Sequence, residues 1–312
     1  MGTVAFLVNP ASAGGRTRRL WPEIAQRAAA AGLDGPAYLS ERPGELPSLV
    51  AKAADAGAEL IVVIGGDGTL NEVVGGLMQR RDDGKLSPEL AMIPRGTGRD
   101  FVRTFRIPAA LDDAIAVARD GEPRTVDAGR VEYRTWSGEM GLSYFANVAS
   151  AGMSGAIAQR ADSTTKALGG RISFVAATVA VFWRWRPTEM TVTVDGVERT
   201  ATMHDVLVAN CRYLGGGMKM CPEALPDDGL FDVLTIGNLT KSDLALTLPR
   251  TYRGSHLSHP KAELLRGAEV TVDAETEVPI ELDGEQPGTT PARFEVIPGA
   301  LRVRVSRGST LA

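Results

Sequence analysis

The chain is short of the residues that several protein classes depend on. Two cysteines in 312 residues, Cys211 and Cys221, do not make a disulfide framework and fit a reducing compartment. Three histidines, His204, His256 and His259, give little support to imidazole catalysis, and the HxxH pair, without a third ligand, reads as a solvated loop. No basic excess exists either. A formal net charge of −4 and a pI near 5.6 exclude the strongly basic face of a nucleic-acid binder. The longest apolar run, Ile172 to Trp183, has about a dozen residues against the roughly 20 that span a bilayer. The opening MGTVAFLVNP lacks the basic segment of a signal peptide and reads as a first strand. These absences predict a cytoplasmic protein, with membrane contact left open. Familiar motifs are missing too. There is no GxxxxGK[ST]; the GxGxxG pattern fails at Asn71, and GxSxG fails at Gly152-Met153-Ser154-Gly155-Ala156.

What is present centres on Leu60 to Gly76, LIVVIGGDGTLNEVVGG. An uninterrupted apolar run enters Gly65-Gly66-Asp67-Gly68-Thr69, and helical spacing follows at Leu70, Val73, Val74 and Leu77, predicting a buried parallel strand, a tight loop and a helix to Gln79. A glycine loop opening a helix presents free amides and the positive dipole end to phosphate. This loop carries Asp67 instead of lysine. A carboxylate beside polyphosphate is repulsive unless a divalent cation lies between them, so the loop implies a nucleotide with magnesium.

The length and a hydrophobic content of 44% predict two domains with sizeable cores. Residues 1–125 alternate strand and helix signals, which predicts a parallel α/β sheet with its ligands at the strands' carboxyl ends. There lie Asn9-Pro10, the GGDGT loop and Pro94 to Asp100. Residues 126–312 turn to short β segments, including Thr125 to Arg130, Tyr144 to Val148 and a hairpin at Asp195-Gly196, interrupted by helices near Ser154 to Leu168 and Ile172 to Trp185. They predict an antiparallel β-sandwich whose last strands could return to the first domain. The apolar helix Ile172 to Trp185 reads as buried, apart from its end, Trp183-Arg184-Trp185-Arg186, which suits an anionic membrane surface.

Seven motifs then stand in order: NPASAGGR, GGDGTLNEVVGGL, IPRGTGRDFVRTF, VDAGRV, YFANVASAGMSG, GGGMKMCPEALPDDGLFDV and ELDGE. Over nearly the whole chain they resemble the diacylglycerol kinase catalytic-domain family, in its bacterial branch related to sphingosine and ceramide kinases. The resemblance implies an N-terminal α/β domain like that of NAD kinases and phosphofructokinases, a C-terminal β-sandwich, and ATP in the cleft between them. It implies an ATP- and Mg²⁺-dependent kinase acting on a lipid hydroxyl at a membrane surface. Diacylglycerol is the first substrate to expect; ceramide, sphingoid bases, monoacylglycerol and phosphatidylglycerol stay open, as does a homodimer.

By motif, the resemblance assigns ATP to Asn9, Ser40, Gly65, Gly66, Asp67, Gly68, Thr69, Leu70, Asn71 and Thr97. It assigns a catalytic magnesium to Asp67, Asp100 and Asp127, and a structural magnesium to Asp228 with the carbonyls of Leu225 and Leu230. The ELDGE turn supplies the general base, with Glu285 ahead of Asp283. Asn9 and Ser40 also suit ordinary turns, Asp100 a helix cap, Asp127 a solvated strand end, and Asp283-Gly284 a hairpin turn. One position departs from the family. Arg99 stands where Asn is usual, and it could assist at a phosphate or pair with Asp100 and weaken the metal site. Two alternatives therefore accompany the lipid-kinase expectation: an NAD kinase-like soluble kinase, and a non-catalytic lipid or nucleotide sensor.

Overall fold

Three apolar runs, each buried at nearly every position, form the centre of an α/β unit: β1 (Val4–Val8), β3 (Leu60–Gly65) and β4 (Glu89–Pro94). Strands apolar on both faces belong in a parallel sheet covered by helices on both sides, and the order is β4-β3-β1-β2, with β2 at Ala37–Leu39. The registers Val4 with Leu60 and Leu60 with Glu89 align the strands in parallel. Asn9, Ser40, Gly66 and Arg95 therefore follow the carboxyl ends of four strands along one edge, where ligands of such sheets bind. The covering helices are α1 (Arg16–Ala30), α2 (Leu46–Asp55), α3 (Asp67–Asp82), α4 (Asp100–Thr104) and α5 (Leu111–Asp120).

The computed structural model describes residues 2–96, 98–163 and 170–309, with the side chains of 161–163 and 170–173 left aside. The chain divides into two units, Met1–Val126 with Gly299–Leu311, and Asp127–Pro298. The second is antiparallel, with strands β5 (Glu122–Thr135, beginning in the first unit), β6 (Met140–Phe145) and β7 (Val148–Gly152). Helices α6 (Met153–Ser163) and α7 (Gly170–Phe182) come next. They lead to β8 (Thr188–Val194), β9 (Val197–Ala209), β10 (Tyr213–Leu214), β11 (Met218–Lys219), β12 (Phe231–Gly237) and α8 (Lys241–Thr251). β13 (Ala262–Gly267), β14 (Glu269–Ala274), β15 (Ile280–Leu282) and β16 (Gly288–Val305) complete the chain.

Strand β9 changes partner along its length. Its first half pairs with β8, and its second half lies between β12 and β7, while β7 pairs in turn with β15. One face of this part supplies Ala149, Ala151, Val206, Val208, Ile280 and Leu282 to a core with Phe145, Phe231 and Phe294. Val148, Leu207 and Ala209 pack a separate apolar cluster. Because strand side chains alternate, Ser150, Asp205 and Glu281 share that second face.

Several expectations are corrected. Helix α3 begins at Asp67, not Leu70, so Asp67, Gly68 and Thr69 belong to its first turn and Gly66 precedes it. The expected strand Tyr144 to Val148 is interrupted, because the amides of Ala146, Asn147 and Val148 turn to the Asp283 carboxylate. Helix α7 is not buried on all sides: Ala177 and Phe182 are buried, whereas Val179 is exposed; the exposed Trp183 beyond it belongs to the end expected at the surface. His256 is not solvated. It is buried, and its Nε2 donates to Met220 O at 3.0 Å.

Candidate active site

In the first unit the site is built where two loops touch. A Cβ placed on Gly96 would come within 2.5 Å of the Gly66 Cα, and one placed on Gly98 within 2.4 Å of Asp67 Oδ2. Only glycine lets these loops close on each other. The start of α3 has no side-chain cap, and Gly66 before it is extended, so the first amides of the helix have no partner within it. Asn9 ties the neighbouring strand end to the same place. Its Nδ2 donates to Thr69 Oγ1 at 3.1 Å, and its Oδ1 accepts the Ala11 amide at 3.0 Å. Ser40 follows β2, its amide donating to Val8 O at 3.0 Å. Leu70 is buried, and Asn71 continues the helix. Thr97 lies outside the described residues.

Asp67 reaches from α3 to the amides of Arg99, Asp100 and Phe101, which hold its charged form, while the stronger effect of burial raises its pKa. Its Oδ1 is buried without a partner. Asp100 lies beside the same glycine and accepts Arg103 Nη1 at 2.7 Å. The guanidinium one turn along α4 thus pairs with Asp100, while Arg99 Nε donates to Gly96 O at 3.3 Å. Arg99 has a φ of 61°, a left-handed conformation that asparagine adopts more readily than arginine. Sequence reading missed Arg95. Its Nε is buried and unpartnered, and burial, followed by the neighbouring Arg99 charge, lowers its pKa. An anion at this loop would satisfy both arginines.

Asp127 is the third acid expected at the metal site. It belongs to the second unit, is buried, and accepts the Gly229 amide on Oδ2 at 2.8 Å. Among the described residues, no group of three or more His, Cys, Asp or Glu side chains could hold a metal. Asp127 braces the loop expected to hold a structural cation, its own amide donating to Pro226 O at 2.7 Å. Within that loop, Asp228 accepts the Leu230 amide at 3.1 Å and pairs with Arg266. Leu225 and Leu230 flank this closure. The residues do not fit a bound cation as they stand, since it would have to displace Arg266. For the catalytic magnesium the fit is better: the unpartnered Asp67 Oδ1, beside Asp100 and the glycine cradle, is a hard oxygen donor without a partner.

The ELDGE turn is a two-residue hairpin closing β15. Leu282 and Glu285 exchange backbone hydrogen bonds at 2.8 and 3.0 Å, and Asp283 and Gly284 have φ of 51° and 99°. Positive φ at both centres is the requirement of a type I′ turn and explains Asp-Gly. Asp283 is buried, and its carboxylate accepts three backbone amides: Ala146 at 2.9 Å, Asn147 at 3.0 Å and Val148 at 2.9 Å. Glu285 is exposed. The turn thus places a buried acid and an exposed one two positions apart.

The second unit also contains an apolar cavity with about 720 Å³ of unfilled space, its open mouth included. It lies among α6, α7, α8 and β12, lined by residues such as Met153, Ile157, Phe174, Met218 and Leu248. Asp205 is the buried acid in its wall. Its Oδ2 accepts the Ser154 amide at 3.0 Å and the Ser154 hydroxyl, and burial pushes its pKa up to about 7. The cavity was not anticipated, because its lining comes from five separate stretches of chain.

Comparison with known proteins accounts for both units. Residues 3–131 match the model of the diacylglycerol kinase catalytic domain, and residues 147–305 that of the YegS C-terminal NAD kinase beta sandwich-like domain. The chain belongs to the diacylglycerol kinase catalytic-domain family, a family of lipid kinases. A diacylglycerol kinase of Staphylococcus carnosus (strain TM300) is 26% identical over 289 residues, 93% of this chain and 90% of its own. One of Staphylococcus aureus (strain MRSA252) is also 26% identical, over 93% of this chain and 88% of its own. Two solved structures from Bacillus anthracis str. Sterne share the fold. The first has a TM-score of 0.80 at 22% identity, covering 99% of this chain and 97% of its own. The second, described as a diacylglycerol kinase, has a TM-score of 0.72 at 20% identity, covering 99% and 98%.

Proposed function

We propose that the protein transfers the γ-phosphoryl group of ATP to a lipid hydroxyl, with diacylglycerol as acceptor and phosphatidic acid as product. The observation that carries the lipid half of this reading is the apolar cavity: it suits acyl chains and offers little to the many hydroxyls of NAD. Its partner is the loop pair of the first unit, where uncapped α3 amides, Arg95 and Arg99 suit a polyphosphate. Bound magnesium would be held by Asp67 and Asp100 and would neutralise charge on the phosphates. Glu285 takes the proton from the lipid hydroxyl, whose oxygen then bonds to the γ-phosphorus as the bond to the ADP oxygen breaks. Asp283 holds the turn. Filling the cavity tests the lipid half. Ile157→Trp should raise KM for a long-chain diacylglycerol about tenfold or more, the scale of steric discrimination in apolar pockets, with KM for ATP unchanged. An unchanged lipid KM would remove the cavity from the reading.

The membrane approach belongs to the same proposal. Among the described residues no helix is long and apolar enough to cross a membrane. Val179, Trp183 and Leu246 are exposed, Arg184 and Arg186 are exposed, and the Lys241 ammonium lies 4.3 Å from the centre of the Trp183 ring. An exposed indole with a cation over it and exposed arginines just after it suits an anionic leaflet, each cation adding roughly 1 kcal/mol. Sedimentation with anionic vesicles should show binding that fades as salt rises and weakens in Arg184→Ala/Arg186→Ala. Binding indifferent to both would place the contact surface elsewhere.

A further inference from the structure

We propose that Glu281 is a positioning residue that fastens the Leu282–Glu285 turn to β7 and so fixes where Glu285 meets the acceptor hydroxyl. Glu281 sits on β15 opposite Ser150 of β7. It is 2% exposed and Ser150 is fully buried. Its Oε2 lies 3.1 Å from Ser150 Oγ, and its Oε1 accepts the amide of Gly284, a central residue of the turn. One side chain therefore bridges the neighbouring strand and the tip of the turn that carries Glu285. This inference rests on the reading of Glu285 as the base.

The surroundings select the neutral acid. The charged groups acting on Glu281 are Asp283 from the turn and Asp205 from β9, both acids, and burial first, then Asp283, push its pKa up to about 8 against the Gly284 and Ser150 contacts. As a neutral acid, Glu281 sits beside Asp283 without repulsion, and Asp283 can keep its three amides. Ionisation would place a second negative charge against that anchor in a site where water does not screen it. The turn, and Glu285 with it, would then loosen. For stability the sign follows from proton counting: a raised folded-state pKa means that the folded chain holds a proton the unfolded chain releases. Glu281 thus makes stability fall as pH rises from the ordinary glutamate range to about 8.

Glu281→Gln is the informative variant, because an amide keeps both contacts and never ionises. Turnover and melting temperature should be followed from about pH 6 to about pH 9.5 for the wild type, Glu281→Gln and Glu281→Ala. The expected result has three parts. The glutamine variant keeps wild-type turnover at pH 7 within about threefold, loses the alkaline decline that the wild type shows near pH 8, and has a flatter melting profile. Glu281→Ala should lose about tenfold or more in turnover at every pH, an effect on kcat and not on KM for ATP. An alkaline decline or melting slope in the glutamine variant equal to wild type, or wild-type turnover in the alanine variant, would overturn the proposal. The melting slope needs no catalysis. If Glu285→Gln were to keep full turnover, the base reading would fail, while the slope difference would still judge whether Glu281 bears the proton.

Discussion

Asp67→Asn should lower phosphoryl transfer by about two orders of magnitude or more, the scale expected when a preorganised electrostatic element is removed. The substitution keeps the size of the side chain and an oxygen that can accept the amides of Arg99, Asp100 and Phe101, so the loop contact survives. What it removes is the charge behind the buried, unpartnered Oδ1. The loss should fall on kcat, with the melting temperature close to wild type. Asp67→Ala would be less informative, since it also releases α4. Circular dichroism and steady-state kinetics on the same preparation check this, and wild-type turnover in the asparagine variant would remove Asp67 from the chemistry.

Glu285→Gln and Asp283→Asn should separate cleanly, although only Gly284 stands between the two acids. Glu285 is exposed, and as the base its loss should cost turnover by about 10²- to 10⁴-fold, the usual contribution of acid–base catalysis, without moving the melting temperature. Asp283 holds the amides of Ala146, Asn147 and Val148. Asparagine presents one acceptor oxygen in place of two, leaving at least one of those buried amides poorly satisfied, so Asp283→Asn should lower stability by about 1–3 kcal/mol. Its loss of turnover should follow from that loosening. The reverse pattern, a stable inactive Asp283→Asn beside an active Glu285→Gln, would exchange the two roles.

The residues that sequence reading placed well are those whose signal is local. The runs at Val4 to Val8 and Leu60 to Gly65 are buried on both faces, and strands of that kind announce themselves. The Asp195-Gly196 turn joins β8 to β9 as its composition requires, both residues having positive φ. Helix α8 was legible but missed: Thr240 and Asp243 form a reciprocal capping box, a T-x-x-D signal before Leu244 and Leu248. Other features were beyond local reading. Asp283 meets amides more than 130 residues away, and the Arg103 pairing of Asp100 depends on a helix of only five residues. A motif fixes the type of residue, whereas its partners are set by tertiary structure: Asp127 accepts the amide of Gly229, 102 residues away.

The most direct measurement is transfer of label from γ-labelled ATP by the purified protein, offered diacylglycerol, ceramide, sphingosine, monoacylglycerol, phosphatidylglycerol and NAD in parallel with magnesium present. The account predicts a labelled lipid, with diacylglycerol giving the highest kcat/KM and NAD none, and with lipid labelling reduced when Ile157→Trp fills the cavity. Label appearing in NAD with every lipid unlabelled would contradict it.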